Sequence, residues 1–185
     1  MQRCRLRGAE AGDLGAILAI YNDVIANTTA VYTDRPSTLE ERAAWLADRS
    51  ARGLAVTVAT DDDGRVIGYG SFGPFRPWPG YATTVEHSLY VAPEARGQGV
   101  GRLLLTALVD AAREGGYCVM IGGIDAGNAA SLALHEKLGF VRAGRLHRVA
   151  RKFGDWLDLV FVEKQLQTGP GNSSESSPRT SPAMP

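Results

Sequence analysis

Apolar and polar positions change period several times along the chain, and each change marks an element. Residues Cys4 to Ala9 alternate, as a strand with one buried face requires. After Gly12 and Asp13, the residues Leu14, Ile17, Leu18 and Tyr21 recur at helical spacing, so one face of this helix belongs to the core. The segment from Asn22 to Pro36 is polar and rich in threonine, contains Tyr32 and Arg35, and reads as a loop able to line a pocket. Thr38 and Glu41 form a capping box for a second helix through Trp45 and Leu46, which Gly53 ends. Two β-rich runs, Leu54 to Thr60 and Arg65 to Phe72, flank Asp61-Asp62-Asp63-Gly64, whose composition suits a solvated hairpin turn rather than a metal site.

Between Gly73 and Tyr81 lie Phe75, Arg76, Trp78 and Tyr81 among three prolines. Such a stiff loop either walls a site and offers a guanidinium to a carboxylate, or simply connects two strands at the surface. Val85, His87, Leu89 and Val91 then alternate with Thr84, Glu86, Ser88 and Tyr90 in a fourth strand that Pro93 and Glu94 end. If that strand is regular, His87 faces away from Glu86 and is a packed side chain.

Arg96-Gly97-Gln98-Gly99-Val100-Gly101 comes next, and Val100, Leu103, Leu104, Ala107, Leu108 and Ala111 carry a helix up to Gly115 and Gly116. A strand, a glycine turn and a helix start aim several backbone N–H groups at one point, which favours an anion such as phosphate. The same turn can also bind nothing. No Gly-Lys-Ser or Gly-Lys-Thr follows it, and it does not sit after a first strand, so neither a Walker loop nor a dinucleotide fingerprint is present. A fifth strand is predicted over Cys118 to Ile124. Asp125 to Asn128 then lead into a short helix with Leu132, Leu134, His135 and Leu138, stopped by Gly139 with Phe140 packing back. Phe140 to Val149 and Trp156 to Glu163 are the last two strands, joined through Lys152-Phe153-Gly154-Asp155.

Composition narrows the class. With 185 residues, 44% hydrophobic and 22% charged, the chain supports one core and a single domain over residues 1–166. Residues 167–185 are serine, proline, threonine and glycine with little to bury, and are expected to be a disordered tail. A formal net charge of zero gives no basic footprint for nucleic acid or for an acidic membrane. Cys4 and Cys118 make neither a metal spacing nor a disulfide framework, and no apolar run is long enough to span a bilayer. A soluble cytoplasmic protein is expected.

The order strand, two helices, three strands, helix, strand, helix, two strands, with a glycine turn after the fourth strand, resembles the GCN5-related N-acetyltransferase (GNAT) superfamily. Arg96, Gly99 and Gly101 match its acetyl-CoA loop pattern, and Asn128 with Leu132, Leu134, Glu136, Lys137, Leu138, Gly139 and Phe140 matches its second cofactor motif. Within the superfamily, Ile20-Tyr21-Asn22, the run Thr84 to Val91, the run Leu134 to Phe140 and the run Lys152 to Asp158 are similar to the phosphinothricin and methionine sulfoximine acetyltransferase group. The similarity spans about residues 3 to 166.

The resemblance implies an α/β (α+β) GNAT fold, a mixed sheet of about six to seven strands flanked by about four helices. It also implies direct acetyl transfer from acetyl-CoA to the amine of a small amino acid or analogue, without a metal. Glu86 corresponds to the base, or alternatively anchors the acceptor ammonium, and His135 stands where the superfamily often has a tyrosine that protonates the leaving thiolate. Cofactor contacts are implied for Tyr90 and Val91, for Arg96, Gly97, Gln98, Gly99, Val100, Gly101 and Arg102, and for Asn128 and Ser131. For the acceptor, Arg76 is the first candidate for a carboxylate, with Tyr32, Phe75 and Tyr81 as walls and Lys152 as a second cation. A homodimer is the common assembly of such proteins. Peptide or protein N-terminal acetylation and a non-catalytic CoA sensor are the alternatives.

Overall fold

The computed structural model describes residues 4–167, and the tail beyond them, expected to be disordered, lies outside the described residues. Seven strands form one sheet: β1 (Arg5–Gly8), β2 (Val56–Thr60), β3 (Val66–Pro74), β4 (Thr84–Val91), β5 (Val119–Asp125), β6 (Val141–Lys152) and β7 (Asp155–Gln165). Their order is β1-β2-β3-β4-β5-β7-β6, and β4 with β5 is the parallel pair. Helices α1 (Leu14–Asn27) and α2 (Leu39–Ala51) pack on one face, where Ile17 and Ile20 meet Val58 and Tyr69. Helices α3 (Val100–Glu114) and α4 (Ala129–Lys137) cover the other, where Leu105, Leu108 and Leu132 meet Val85, Met120 and Val162. This is the expected mixed sheet with four helices.

Local chemistry sets most boundaries. Thr38 caps α2 as its spacing predicts: its Oγ1 accepts from Glu41 N at 3.3 Å while Glu41 Oε2 accepts from Thr38 N at 3.1 Å. Helix α1 runs further than its sequence suggests, to Asn27 instead of Tyr21. Val24 and Ile25 extend its apolar stripe and are buried, which outweighs the modest helix preference of Asn22 and Asp23.

Strand β4 sorts its side chains as period two demands. Val85 and His87 are buried toward α3 and α4, whereas Glu86 and Tyr90 face the α1 and α2 side. Its ladder with β5 holds only for Thr84–Val119, Val85–Met120 and Glu86–Ile121, although the strands continue to Val91 and Asp125. The sheet therefore forks immediately after Glu86. At the far edge, β6 is exposed along almost its whole length and pairs only with β7.

Candidate active site

Glu86 stands at the root of the fork, on the wall of a cavity of about 300 Å³ that Tyr32, Arg76, Tyr90, Gly123 and Asp125 also line. Gly123 follows Ile121 on the same face of β5, and the Glu86 carboxylate reaches over it: a Cβ at Gly123 would lie 3.4 Å from Glu86 Oε1. Burial pushes the Glu86 pKa up, and the Arg76 guanidinium pulls it partly back. A carboxylate so placed is a better base than an exposed one, because the proton it accepts relieves a poorly solvated charge.

Arg76 is exposed, its guanidinium lying 4.0 Å over the Phe75 ring and donating from Nη1 to the Phe75 carbonyl at 2.8 Å. Phe75 thus supports the cation from behind rather than walling the cavity. Tyr81, 5.7 Å from Phe75, lines a neighbouring cavity of about 370 Å³ with Trp78 and Tyr117. Of the five acceptor contacts expected around Glu86, Tyr32 and Arg76 are therefore in its cavity, Phe75 and Tyr81 stand outside it, and Lys152 is the fifth. Tyr32 donates its hydroxyl to the Asp158 carbonyl at 3.3 Å, and burial with the nearby Asp125 and Asp158 pushes its pKa up to about 12. It is a neutral wall at any ordinary pH.

Lys152 requires a correction. Its ammonium is buried and donates to the carbonyls of Ile25, Thr28 and Val31 at 2.6, 2.7 and 2.8 Å. A cation already satisfied by three carbonyls is not offered to a substrate carboxylate. It fastens the end of α1 and the following loop, which carries Ala30, Val31 and Tyr32 into the cavity wall. Asp125 fastens the same loop from β5: it is buried, accepts from Thr29 Oγ1, and takes the Gly127 amide at 3.3 Å. The sequence marks Asp125 only as the start of the lead-in to the short helix, whereas it ends β5; the alternation Ile121, Gly123, Asp125 was the available signal.

The glycine turn keeps its expected form. Gly97 and Gly99 have φ of 76° and 86°, a left-handed backbone that favours glycine, and they lead straight into α3 at Val100. The buried Val100 side chain anchors the turn, so its contribution to a ligand is its backbone N–H. Gln98 Nε2 braces the turn on the Glu94 carbonyl at 2.7 Å. Arg96 is engaged within the fold, with Nε on the Val91 carbonyl and Nη2 on Asp23, both at 3.1 Å. Positive potential at the turn thus comes chiefly from the helix start, with Arg102 exposed on its first turn. Gly101 lets α4 approach, since a Cβ there would meet Leu134 Cδ2 at 3.3 Å.

Across the fork, Asn128 caps α4 by accepting from Ser131 N at 3.0 Å, which leaves its amide NH₂ as a donor. Tyr90 and Val91 pair with Tyr69 and Gly68 of β3 on one side, and on the other lie beyond the last β4–β5 pair. The helix start, the capped α4 and the open β4 edge together fit an elongated ligand with an anionic end. His135 is not brought to Glu86: it is buried on the α4 side, where its Nε2 lies 3.2 Å from His87 Nε2. His87 is packed away from Glu86, as the strand pattern predicts.

Known proteins are similar to this chain in sequence and fold. Residues 17–140 match the Acetyltransferase (GNAT) family. The chain is 47% identical over 161 residues to the L-methionine sulfoximine/L-methionine sulfone acetyltransferase of Pseudomonas aeruginosa, covering 87% of this chain and 94% of that one. A GNAT superfamily phosphinothricin acetyltransferase from Sinorhizobium meliloti, solved in complex with AcCoA, superimposes with a TM-score of 0.87 at 36% identity, covering 97% and 96% of the two chains. A ribosomal-protein-alanine N-acetyltransferase from Brucella melitensis gives a TM-score of 0.85 at 49% identity, with 87% and 99% covered. With the forked sheet, the glycine turn and a family match over most of its folded length, the chain belongs to the GNAT acetyltransferase family.

Proposed function

We propose that the protein transfers acetyl from acetyl-CoA to the α-amine of a small amino acid or analogue of the methionine sulfoximine, methionine sulfone or phosphinothricin type. The observation that carries this is the half-buried Glu86 at the root of the β4–β5 fork, in a cavity of about 300 Å³ that the Arg76 guanidinium also lines. Acetyl-CoA supplies a thioester carbonyl for the amine to attack and a thiolate that leaves. The chain's own part is to bind, orient and deprotonate.

The α3 start with Gly97 to Arg102 receives the anionic end of the donor, and Asn128 and Ser131 flank its arm. Backbone N–H groups near Tyr90 and Val91 are aimed at the carbonyl oxygen. Arg76 holds the acceptor carboxylate, Tyr32 and Tyr90 wall its side chain, and Glu86 takes the proton that the α-ammonium must lose before its lone pair can attack. Residues 1–166 form the catalytic domain. The exposed apolar residues of the β6–β7 hairpin, Leu146, Val149, Phe153 and Trp156, are the surface on which we place a homodimer. The absence of any helix long and apolar enough to cross a membrane among the described residues is compatible with a cytoplasmic enzyme.

Protein N-terminal acetylation is the second reading, favoured by the similarity to the ribosomal-protein-alanine enzyme. Against it stands the cavity closed on two sides by the Arg76 loop and by the loop that Lys152 and Asp125 fasten. Thiol release from acetyl-CoA, followed with amino acids, methionine sulfone, methionine sulfoximine, phosphinothricin and short peptides, separates the two. Turnover with the small amines is the expected result, and turnover with peptides alone overturns the proposal.

A further inference from the structure

Outside the Glu86 cavity, the buried titratable groups that acetyl transfer leaves without a role include two imidazoles in contact with each other. His87 of β4 and His135 of α4 are 8% and 2% exposed, with Phe140 against both rings. Their planes are inclined by only 18° with centroids 5.1 Å apart, while the Nε2 atoms lie 3.2 Å apart. The nitrogens are much nearer than the centroids, so the rings meet edge to edge, as an N–H···N hydrogen bond requires.

The direction of that bond follows from the backbone. His135 Nδ1 lies 2.7 Å from the Ser131 carbonyl oxygen, which can only accept. Nδ1 therefore carries the proton, and in neutral His135 the Nε2 atom is a bare lone pair. His87 must then donate from its own Nε2, which leaves its Nδ1 as an acceptor; that atom is buried and has no hydrogen-bond partner among the described residues. The reverse arrangement would put an additional proton, and a positive charge, between two buried rings with no carboxylate among their hydrogen-bond and ring partners.

The pair also occupies a particular place. His87 is the first β4 residue beyond the last β4–β5 pair, and its ring lies over Gly122, the first β5 residue beyond that pair. A Cβ at Gly122 would stand 2.7 Å from His87 Nε2 and 3.1 Å from Val162 Cγ2, so the glycine makes room for the ring. The imidazole pair thus forms a plug at the crotch of the fork, joining β4 to α4 at the level where β4 and β5 part.

We propose that His87 is a positioning residue which locks His135 in the Nδ1–H form, so that His135 has no Nε2 proton to give and serves acetyl transfer by bracing the fork, not as the acid for the leaving thiolate. The consequence for catalysis rests on the acetyltransferase reading, whereas the tautomer does not.

Side-chain ¹⁵N–¹H correlation spectra of the wild-type protein at neutral pH test it directly. The expected result is His135 protonated on Nδ1 alone and His87 on Nε2 alone. His135 protonated on Nε2, or on both nitrogens, overturns the proposal whether or not the enzyme is active on any amine. His87→Phe fills the same space and removes the donor. It should free His135 Nε2 to bind a proton, seen as His135 titrating at a higher pH than in the wild type, and should raise the apparent KM for acetyl-CoA more than that for the acceptor. Unchanged His135 titration in the folded variant overturns the lock; if the variant does not fold, the wild-type spectrum alone decides.

Discussion

The Lys152 ammonium donates to the Thr28 carbonyl at 2.7 Å across 124 residues of sequence, joining the end of β6 to the loop that walls the acceptor cavity. With Ile25 and Val31 completing its three acceptors, the cation is a fastener. Lys152→Met keeps the length of the side chain but leaves three carbonyls without their donor. It should lower the free energy of unfolding by roughly 2–4 kcal/mol, given the usual worth of hydrogen bonds to a charged group. Urea denaturation checks the number. The residual folded enzyme should show a raised acceptor KM with little change for acetyl-CoA, because the loosened loop carries Tyr32.

Glu86→Gln preserves shape and removes the base. Turnover should fall by about 10²- to 10⁴-fold, the usual contribution of a positioned base, while acetyl-CoA binding measured by calorimetry stays near wild type. Near-normal turnover would remove Glu86 from this role. Because burial raises its pKa, the wild-type kcat/KM should fall on acidification at a pH above the ordinary carboxylate range. The sign for stability is opposite to that of a salt-bridged acid. Ionised Glu86 costs the fold, so its contribution worsens as pH rises from the ordinary carboxylate value through the raised one, and Glu86→Gln removes that dependence.

Arg76→Ala acts on the same titration from outside. Arg76 is the charge that pulls the Glu86 pKa down, so its loss should move the acid limb of the pH–rate profile further up. It should also raise the acceptor KM by about 10- to 100-fold, as expected for a charge-assisted contact to a carboxylate, with acetyl-CoA unaffected. Equal effects on both substrates would indicate damage to the fold instead.

Gly99→Ala addresses the turn. A Cβ at this position meets nothing within 4 Å, so the penalty is purely one of backbone at φ 86°, of order 1 kcal/mol. Acetyl-CoA KM should rise while acceptor KM holds, and a reversed pattern would separate the turn from donor binding.

The β6–β7 surface gives a test of assembly. Trp156 is 54% and Leu146 is 46% exposed on the outer hairpin. If a second copy covers them, Leu146→Asp should convert a dimer to a monomer in sedimentation velocity. A wild-type protein that sediments as a monomer at micromolar concentration removes the proposal outright.

What the sequence made legible was local. The Thr38–Glu41 box, the glycines at 97 and 99, and the alternation around Glu86 each depend on neighbours within a few residues, and the structure repeats them. What the sequence did not show are polar partners that are remote along the chain. Lys152 bonds residues more than 120 positions away, so it looked like a free cation in the sequence, and the Asp23 partner of Arg96 lies 73 positions away. The contact between His135 and His87 spans 48 residues and was equally invisible in the sequence. The length of α1 escaped notice because Val24 and Ile25 reveal themselves as core only when the sheet is in place.

The short β4–β5 ladder bears on stability as well as on binding. Beyond Glu86 and Ile121, backbone groups of two central strands forgo the pairing that the middle of a sheet normally gives them, so one of the two innermost seams of the sheet is also the one with the shortest ladder. A donor arm bound there, as proposed above, would take the position of an inserted strand. Its binding energy then counts toward holding the two halves of the sheet together, about 2.7 kcal/mol at a concentration one hundred times its dissociation constant. The enzyme's melting temperature should accordingly track the supply of its own acyl donor, making resistance to unfolding a reading of the cell's acetyl-CoA.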